Sequence, residues 1–167
     1  IFNWYIIHIF AVLFTQDNIL QAGLHKQLAV NNGQLAKYNE AIKHSTIAYE
    51  IAGKCTNDTV ILISMLNDIG FFYWQATNYE AANRYLRQAE DLSFSLPPNH
   101  KERIKTIYYL ANSFSEMGLL DAAYKKLDNC ISSIGPTDYA YLPPLLSSLA
   151  KICVDLGKYD LAVEYGE

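Results

Sequence analysis

Residues 66–89 read LNDIGFFYWQATNYEAANRYLRQA. Leu66, Ile69, Gly70 and Tyr73 recur at i, i+3, i+4 and i+7, which places them on one stripe of an α-helix. Thr77 followed by Glu80 has the form of a capping box, so a second helix is expected to open there with Thr77 as its cap. Ala82, Leu86 and Ala89 then share one face at i, i+4 and i+7. Gly70, Ala82 and Ala89 are small where two antiparallel helices would touch, and Tyr73, Tyr79 and Leu86 are large beside them. The stretch predicts a tight helical hairpin whose remaining apolar edges need a further hairpin for cover.

The same pattern recurs on both sides. Upstream, Leu28 and Ala29 match Ile69 and Gly70, while Tyr38, Ala41 and Ala48 match Tyr79, Ala82 and Ala89. His25 and Asn32 stand where a large apolar residue and a Tyr are expected, so this repeat is degenerate, as edge repeats often are. Residues 53–58, GKCTND, predict a loop, with Asp58 capping the next helix. Downstream, Pro97 and Pro98 break the chain, and Asn99 with Glu102 reads as a further cap pair. A third hairpin runs through Ile107, Leu110, Ala111 and Phe114, turns at Gly118, and continues through Leu120, Ala123, Leu127 and Cys130. The fourth holds Leu146, Leu149, Ala150, Cys153, Gly157, Tyr159 and Ala162, and reaches Glu167 without a stop signal. Pro143 and Pro144 either kink the segment before them or open a helix. The second-helix alanines Ala41, Ala82, Ala123 and Ala162 are separated by 41, 41 and 39 residues. The expected fold is all-α: an α-α superhelix, or solenoid, of about four antiparallel hairpins. Its repeats are placed at about 19–55, 58–96, 99–136 and 138–167 within a domain of residues 17–167.

On these residues the chain resembles the tetratricopeptide repeat family. The family pattern is a large apolar residue, then Leu, Gly or Ala, and Tyr, followed on the second helix by an aromatic, Ala, an aromatic or apolar residue, and Ala. The spacing exceeds the common 34-residue repeat by about one turn per helix. Residues 135–167, with GPTDYAYLPPLLSSLAKICVDLGKYDLAVEYGE, are similar to the longer kinesin-light-chain type of repeat. The resemblance implies a right-handed superhelix whose first helices line a concave, peptide-binding side. The free faces of those helices would carry Lys26, Val30, Asn67, Phe71, Trp74, Lys105, Tyr108, Asn112, Ser147 and Lys151. Amides suit a peptide backbone, aromatic rings its apolar side chains, and ammonium groups its carboxylates. Some family members hold a chaperone-tail carboxylate in a clamp, and Lys26 and Lys105 stand at two of its positions. Val30, Asp68 and Tyr109 stand where the clamp has Asn, Asn and Arg, so the resemblance stops short of the clamp.

Composition narrows the function further. Half of the 167 residues are hydrophobic and 13 are Tyr, which is enough for a packed core. The net charge of −4 argues against nucleic acid as partner, since phosphate neutralisation needs a basic face. Cys55, Cys130 and Cys153 form neither a disulfide framework nor a zinc site, and Cys130 and Cys153 fit buried positions. His8, His25, His44 and His100 show no metal-ligand spacing. The nucleophile-elbow and zincin motifs are absent, and Gly53-Lys54-Cys55 lacks the rest of a phosphate-binding loop. Asn57-Asp58-Thr59 is a glycosylation sequon in a eukaryotic secretory setting. The expectation is a non-enzymatic scaffold without cofactor or metal, binding a protein or peptide. The competing reading is a sensory or regulatory module serving a catalytic domain beyond residue 167, of the CHAT-protease or sensor-kinase kind.

Residues 1–14, IFNWYIIHIFAVLF, carry no charge and no polar face. As a helix this run spans about 21 Å, short of the roughly 30 Å hydrocarbon core. It fits the apolar part of a signal peptide within residues 1–16, with cleavage near Thr15–Gln16. A short membrane anchor and the closing helix of an earlier repeat are the alternatives. Membrane contact is expected only through this run. Export follows from the first two readings and a cytoplasmic location from the third.

Overall fold

The computed structural model describes the backbone of residues 2–134 and 141–166 and the side chains of residues 17–134 and 141–166. Among these residues there are eight helices and no strand: α1 (Phe2–Gln34), α2 (Tyr38–Cys55), α3 (Thr59–Gln75), α4 (Tyr79–Ser93), α5 (Lys101–Glu116), α6 (Leu120–Ile134), α7 (Leu142–Asp155) and α8 (Tyr159–Gly166). They pair as four hairpins. Each second helix also packs on the next first helix, α2 on α3, α4 on α5 and α6 on α7. The first helices touch one another as well, α3 on α5 and α5 on α7. This nearest-neighbour order is that of an all-α solenoid. Helix α1 runs without a break from Phe2 to Gln34. The leader and anchor readings of residues 1–14 concern side chains outside the described ones. Among the described residues no helix is long and apolar enough to cross a membrane.

The hairpins share one turn. Each connection is three residues long, and its middle residue has a left-handed backbone: Ala36 (φ 55°), Thr77 (φ 59°), Gly118 (φ 77°) and Gly157 (φ 72°). The next amide reaches back five residues in every case, Lys37 to Asn32 O, Asn78 to Tyr73 O and Leu119 to Phe114 O at 2.9 Å, and Lys158 to Cys153 O at 2.8 Å. This is the Schellman closure, which satisfies carbonyls left open at a helix C-terminus. Thr77 therefore ends α3 instead of capping α4. The cap is Asn78, whose side chain accepts from the Ala81 amide at 3.1 Å. The next cap also falls one residue later than the sequence suggests, since His100 and not Asn99 accepts from the Glu102 amide, at 3.2 Å. Asp58 caps α3 as expected, accepting from Val60 and Ile61 at 2.9 and 3.2 Å. Pro143 and Pro144 lie in the first turn of α7, where a missing amide proton costs nothing, so they open the helix.

Five residues after each left-handed position comes the recurrent alanine. Ala41, Ala82 and Ala123 are fully buried, and Gly70 is buried against Leu86, whose Cγ a Cβ on Gly70 would strike. Gly33 is closed off in the same way by the Phe72 ring. Ala162, on the shorter α8, is only half-buried. The core is continuous from Ala82 and Leu86 through Leu110, Ala111 and Leu127 to Leu149 and Ile152. On the α2 side, Met65 packs with Ala48 and Ala52, and Phe72 with Ala29 and Ala41. Helix α1 also carries Leu20, Leu24 and Leu28, which are 65%, 58% and 43% exposed.

One polar bridge lies inside this core. Asn67, expected on the open face, is fully buried between α3 and α5. Its Nδ2 donates to Glu102 O at 3.1 Å and approaches Glu102 Oε2 at 3.3 Å. The Thr106 hydroxyl, also fully buried, lies 2.8 Å from Asn67 Oδ1 and 2.8 Å from Glu102 O. The assignment of Asn67 to a ligand is thus corrected. At that helical angle the side chain meets the next repeat before it meets solvent, and its amide is used up tying the two repeats together.

Three substitutions probe this architecture by thermal unfolding. Thr77→Gly is expected to stabilise by about 1 kcal/mol, because a β-branched residue is strained at positive φ and glycine is not; a lowered midpoint would exclude the left-handed turn. Ala82→Leu is expected to cost about 1–3 kcal/mol through overpacking, and an unchanged midpoint would refute the register. Asn67→Ala is expected to cost about 1–3 kcal/mol by leaving its buried partners unmatched, whereas a solvent-facing Asn67 would give almost no change.

Candidate functional site

The first helices of successive hairpins present one wall, because their i, i+3, i+4 faces stack in register. Helix α1 contributes Lys26, α3 contributes Ser64, Asp68, Phe71 and Trp74, α5 contributes Lys105, Tyr108, Tyr109 and Asn112, and α7 contributes Ser147 and Lys151. Apart from Asn67, the expected site residues retain exposed surface, most of them half-buried and Ser147 and Lys151 open.

Asp68 organises the charged part. Lys105 Nζ donates to Asp68 Oδ1 at 3.2 Å, and Lys26 Nζ lies 3.3 Å from Oδ2. Lys26 directs a hydrogen bond to Ser64 Oγ at 2.7 Å, and its contact with Oδ2 is an ion pair without an aligned hydrogen bond. The Asp68 side chain is 15% exposed, against 37% and 34% for its lysines. Burial pulls the Lys105 ammonium down, but the Asp68 carboxylate, with Tyr109 and Glu102 behind it, outweighs burial and leaves its pKa raised. Lys151 pairs likewise with Glu116 of α5 at 3.0 Å. The expected cations are therefore present, but each already has a carboxylate from a neighbouring helix.

The aromatic part lies beside this network. The Phe71 and Tyr109 rings approach to 5.1 Å between centroids, joining α3 to α5, with Trp74 6.1 Å from Phe71 and Tyr108 5.5 Å from Tyr109. Lys105 Nζ sits 5.8 Å from the Tyr109 centroid and so links the charged and aromatic parts. Burial raises the Tyr109 phenol pKa against the opposing Lys105 charge, so the ring stays neutral. Asn112 donates one of its two amide hydrogens to Tyr108 O of its own helix at 2.9 Å. Two cavities flank the N-terminal end of α5 and share Lys101 and Glu102. One, of about 350 Å³, lies among Lys26, Ile61, Ser64 and Met65; the other, of about 160 Å³, among Lys105, Tyr108, Tyr141 and Leu145.

Ser64 and Glu116 belong to the wall beyond the residues expected there, and Asp68 and Tyr109, expected only as departures from a carboxylate clamp, belong to it as well. The available signal was spacing: Ser64, Asp68 and Phe71 are i, i+4 and i+7 on α3. His25 and His44 meet with Nδ1 atoms 2.9 Å apart between α1 and α2. Among the described residues no group of three or more His, Cys, Asp or Glu converges as a metal site. Burial pushes the Cys130 thiol up to about 11 and raises Cys153 as well, which leaves both as inert packing groups at neutral pH.

No protein-family model matches the chain, and no curated protein matches it. Solved structures do. A Podosopora anserina putative kinesin light chain with nearly identical TPR-like repeats superposes with a TM-score of 0.74 at 17% identity, over 84% of this chain and 69% of that one. BtubC from P. vanneervenii superposes with a TM-score of 0.74 at 16% identity, over 86% and 59%. The Rap conjugation gene regulator of plasmid pLS20, in complex with the Phr* peptide, gives 0.72 at 16% identity, over 88% and 40%. At such identities the likeness concerns the fold, and it shows that the chain folds as a TPR-like helical-repeat solenoid.

Proposed function

We propose that the wall formed by α1, α3, α5 and α7 binds an extended peptide or protein segment, so that the protein acts as an interaction scaffold. The observation that carries this reading is the partly exposed aromatic cluster of Phe71, Trp74, Tyr108 and Tyr109, whose Tyr108 lines one of the two cavities. Large rings held partly open on a rigid wall are the commonest anchors of protein interfaces. A similar fold holding the Phr* peptide in the Rap regulator supports the same use here. Lysines already paired with carboxylates speak against nucleic acid, which needs free cations. Whether such a scaffold stands alone or feeds a catalytic domain, the property to be tested is the same.

The test is selection of binders from a displayed random peptide library, followed by titration of the best sequence against variants. Tyr108→Ala is expected to weaken binding about tenfold, as for an aromatic anchor, and Lys125→Ala, at an exposed position of α6, to leave it unchanged. Equal affinity for both variants, or protection of α6 instead of α3 and α5 in hydrogen exchange, would refute the assignment.

A further inference from the structure

We propose that Asp68 is a built-in counter-ion that sets the charge of what this wall accepts: it occupies the place an acidic ligand would take and so restricts the groove to neutral, apolar or aromatic segments. The inference rests on the peptide-binding reading for its biological use, but its physical content stands on the triad alone. Lys26 and Lys105 come from helices two hairpin positions apart, and both reach the same carboxylate, one to each oxygen, at 3.3 and 3.2 Å. Two ammonium groups converging on one point form an anion site. Here the anion is supplied by the chain itself, from the helix between them.

The surroundings reinforce the exclusion. Glu102 is 8% exposed, is tied to α3 through Asn67, and lies close enough to Lys105 to help hold its proton. It also lines both flanking cavities. An incoming carboxylate would meet Asp68 between the two lysines and Glu102 at the adjoining cavities, with no cation in the triad left unpaired. Like charges brought together in a partly desolvated groove are strongly disfavoured. A neutral segment meets no such barrier and gains contact with the rings of Phe71, Tyr108 and Tyr109. Asp68 is thus a specificity-determining residue: the lysines make the place, and the aspartate closes it to acids.

The experiment uses fluorescence anisotropy with two labelled probes, a tetra-glutamate peptide and its tetra-glutamine counterpart, in phosphate-free buffer at low and physiological salt. The wild-type chain is expected to show no preference for the glutamate probe. Asp68→Asn, with the two lysines now facing a neutral amide, is expected to bind the glutamate probe at least tenfold more tightly than wild type, in a salt-sensitive way. Adding Lys26→Ala to that variant should abolish the gain. Asp68→Ala serves as a second route to the same vacated position, with circular dichroism showing that each variant is folded. A wild-type chain that already prefers the glutamate probe would overturn the proposal, and that arm needs no variant at all. Folded Asp68 variants that gain nothing would overturn it equally. Failure of the library selection to yield wall-binding peptides would count against the peptide-binding reading while leaving these probe measurements to decide the role of Asp68.

Discussion

The whole stack depends on how closely two helices can approach where each hairpin closes. At Ala41, Ala82 and Ala123 the second helix presents a single methyl group, fully buried. At Gly70 the first helix presents none, and Leu86 fills the space. A short left-handed turn brings the chain to that contact, placing the alanine five residues after the residue with positive φ each time. Three-residue connections leave little freedom in the angle at which the second helix returns. Turn and contact therefore act together: the turn sets the approach, and the small side chain permits it.

Close approach within a hairpin leaves the larger side chains to point at the next one. Leu110, Leu149 and Ile152 are buried because the preceding hairpin lies against them. Burial at this level is worth about 1.5–3 kcal/mol for each such side chain. The polar groups that share these faces have two fates. Asn67 and Thr106 fall toward the neighbouring repeat and become internal links, whereas Lys26, Asp68 and Lys105 lie toward the open wall and pair across repeats near solvent. A rotation of about 100° per residue separates the two fates, so adjacent positions such as Asn67 and Asp68 end up in different environments.

The open wall consequently has a mixed character. Its lysines are individually able to take a carboxylate, but the repeat order places Asp68 and Glu116 opposite them. What remains accessible beside Ser147 and the paired Lys151 is aromatic surface and the Asn112 amide. Functional chemistry in such a fold comes from which side chains survive the internal pairing, not from which side chains are present.

The sequence alone determined the class of fold, the number of hairpins and the recurrent small contacts, because these follow from periodicity: apolar stripes and alanines at intervals of 41, 41 and 39 residues repeat the same local geometry each time. It also marked Asp58 as a cap and the Gly118 turn, since those rely on chemistry within a few residues. Thr77 and Ala36 carry no such mark, because nothing in their side chains favours the left-handed backbone that the returning helix imposes. The burial of Asn67, the meeting of His25 with His44 and the placement of Asp68 between two lysines were decided only by tertiary structure. Each depends on the rotation and offset between helices some 20 to 40 residues apart, and a difference of one position on a helix turns a solvent-facing amide into a buried one.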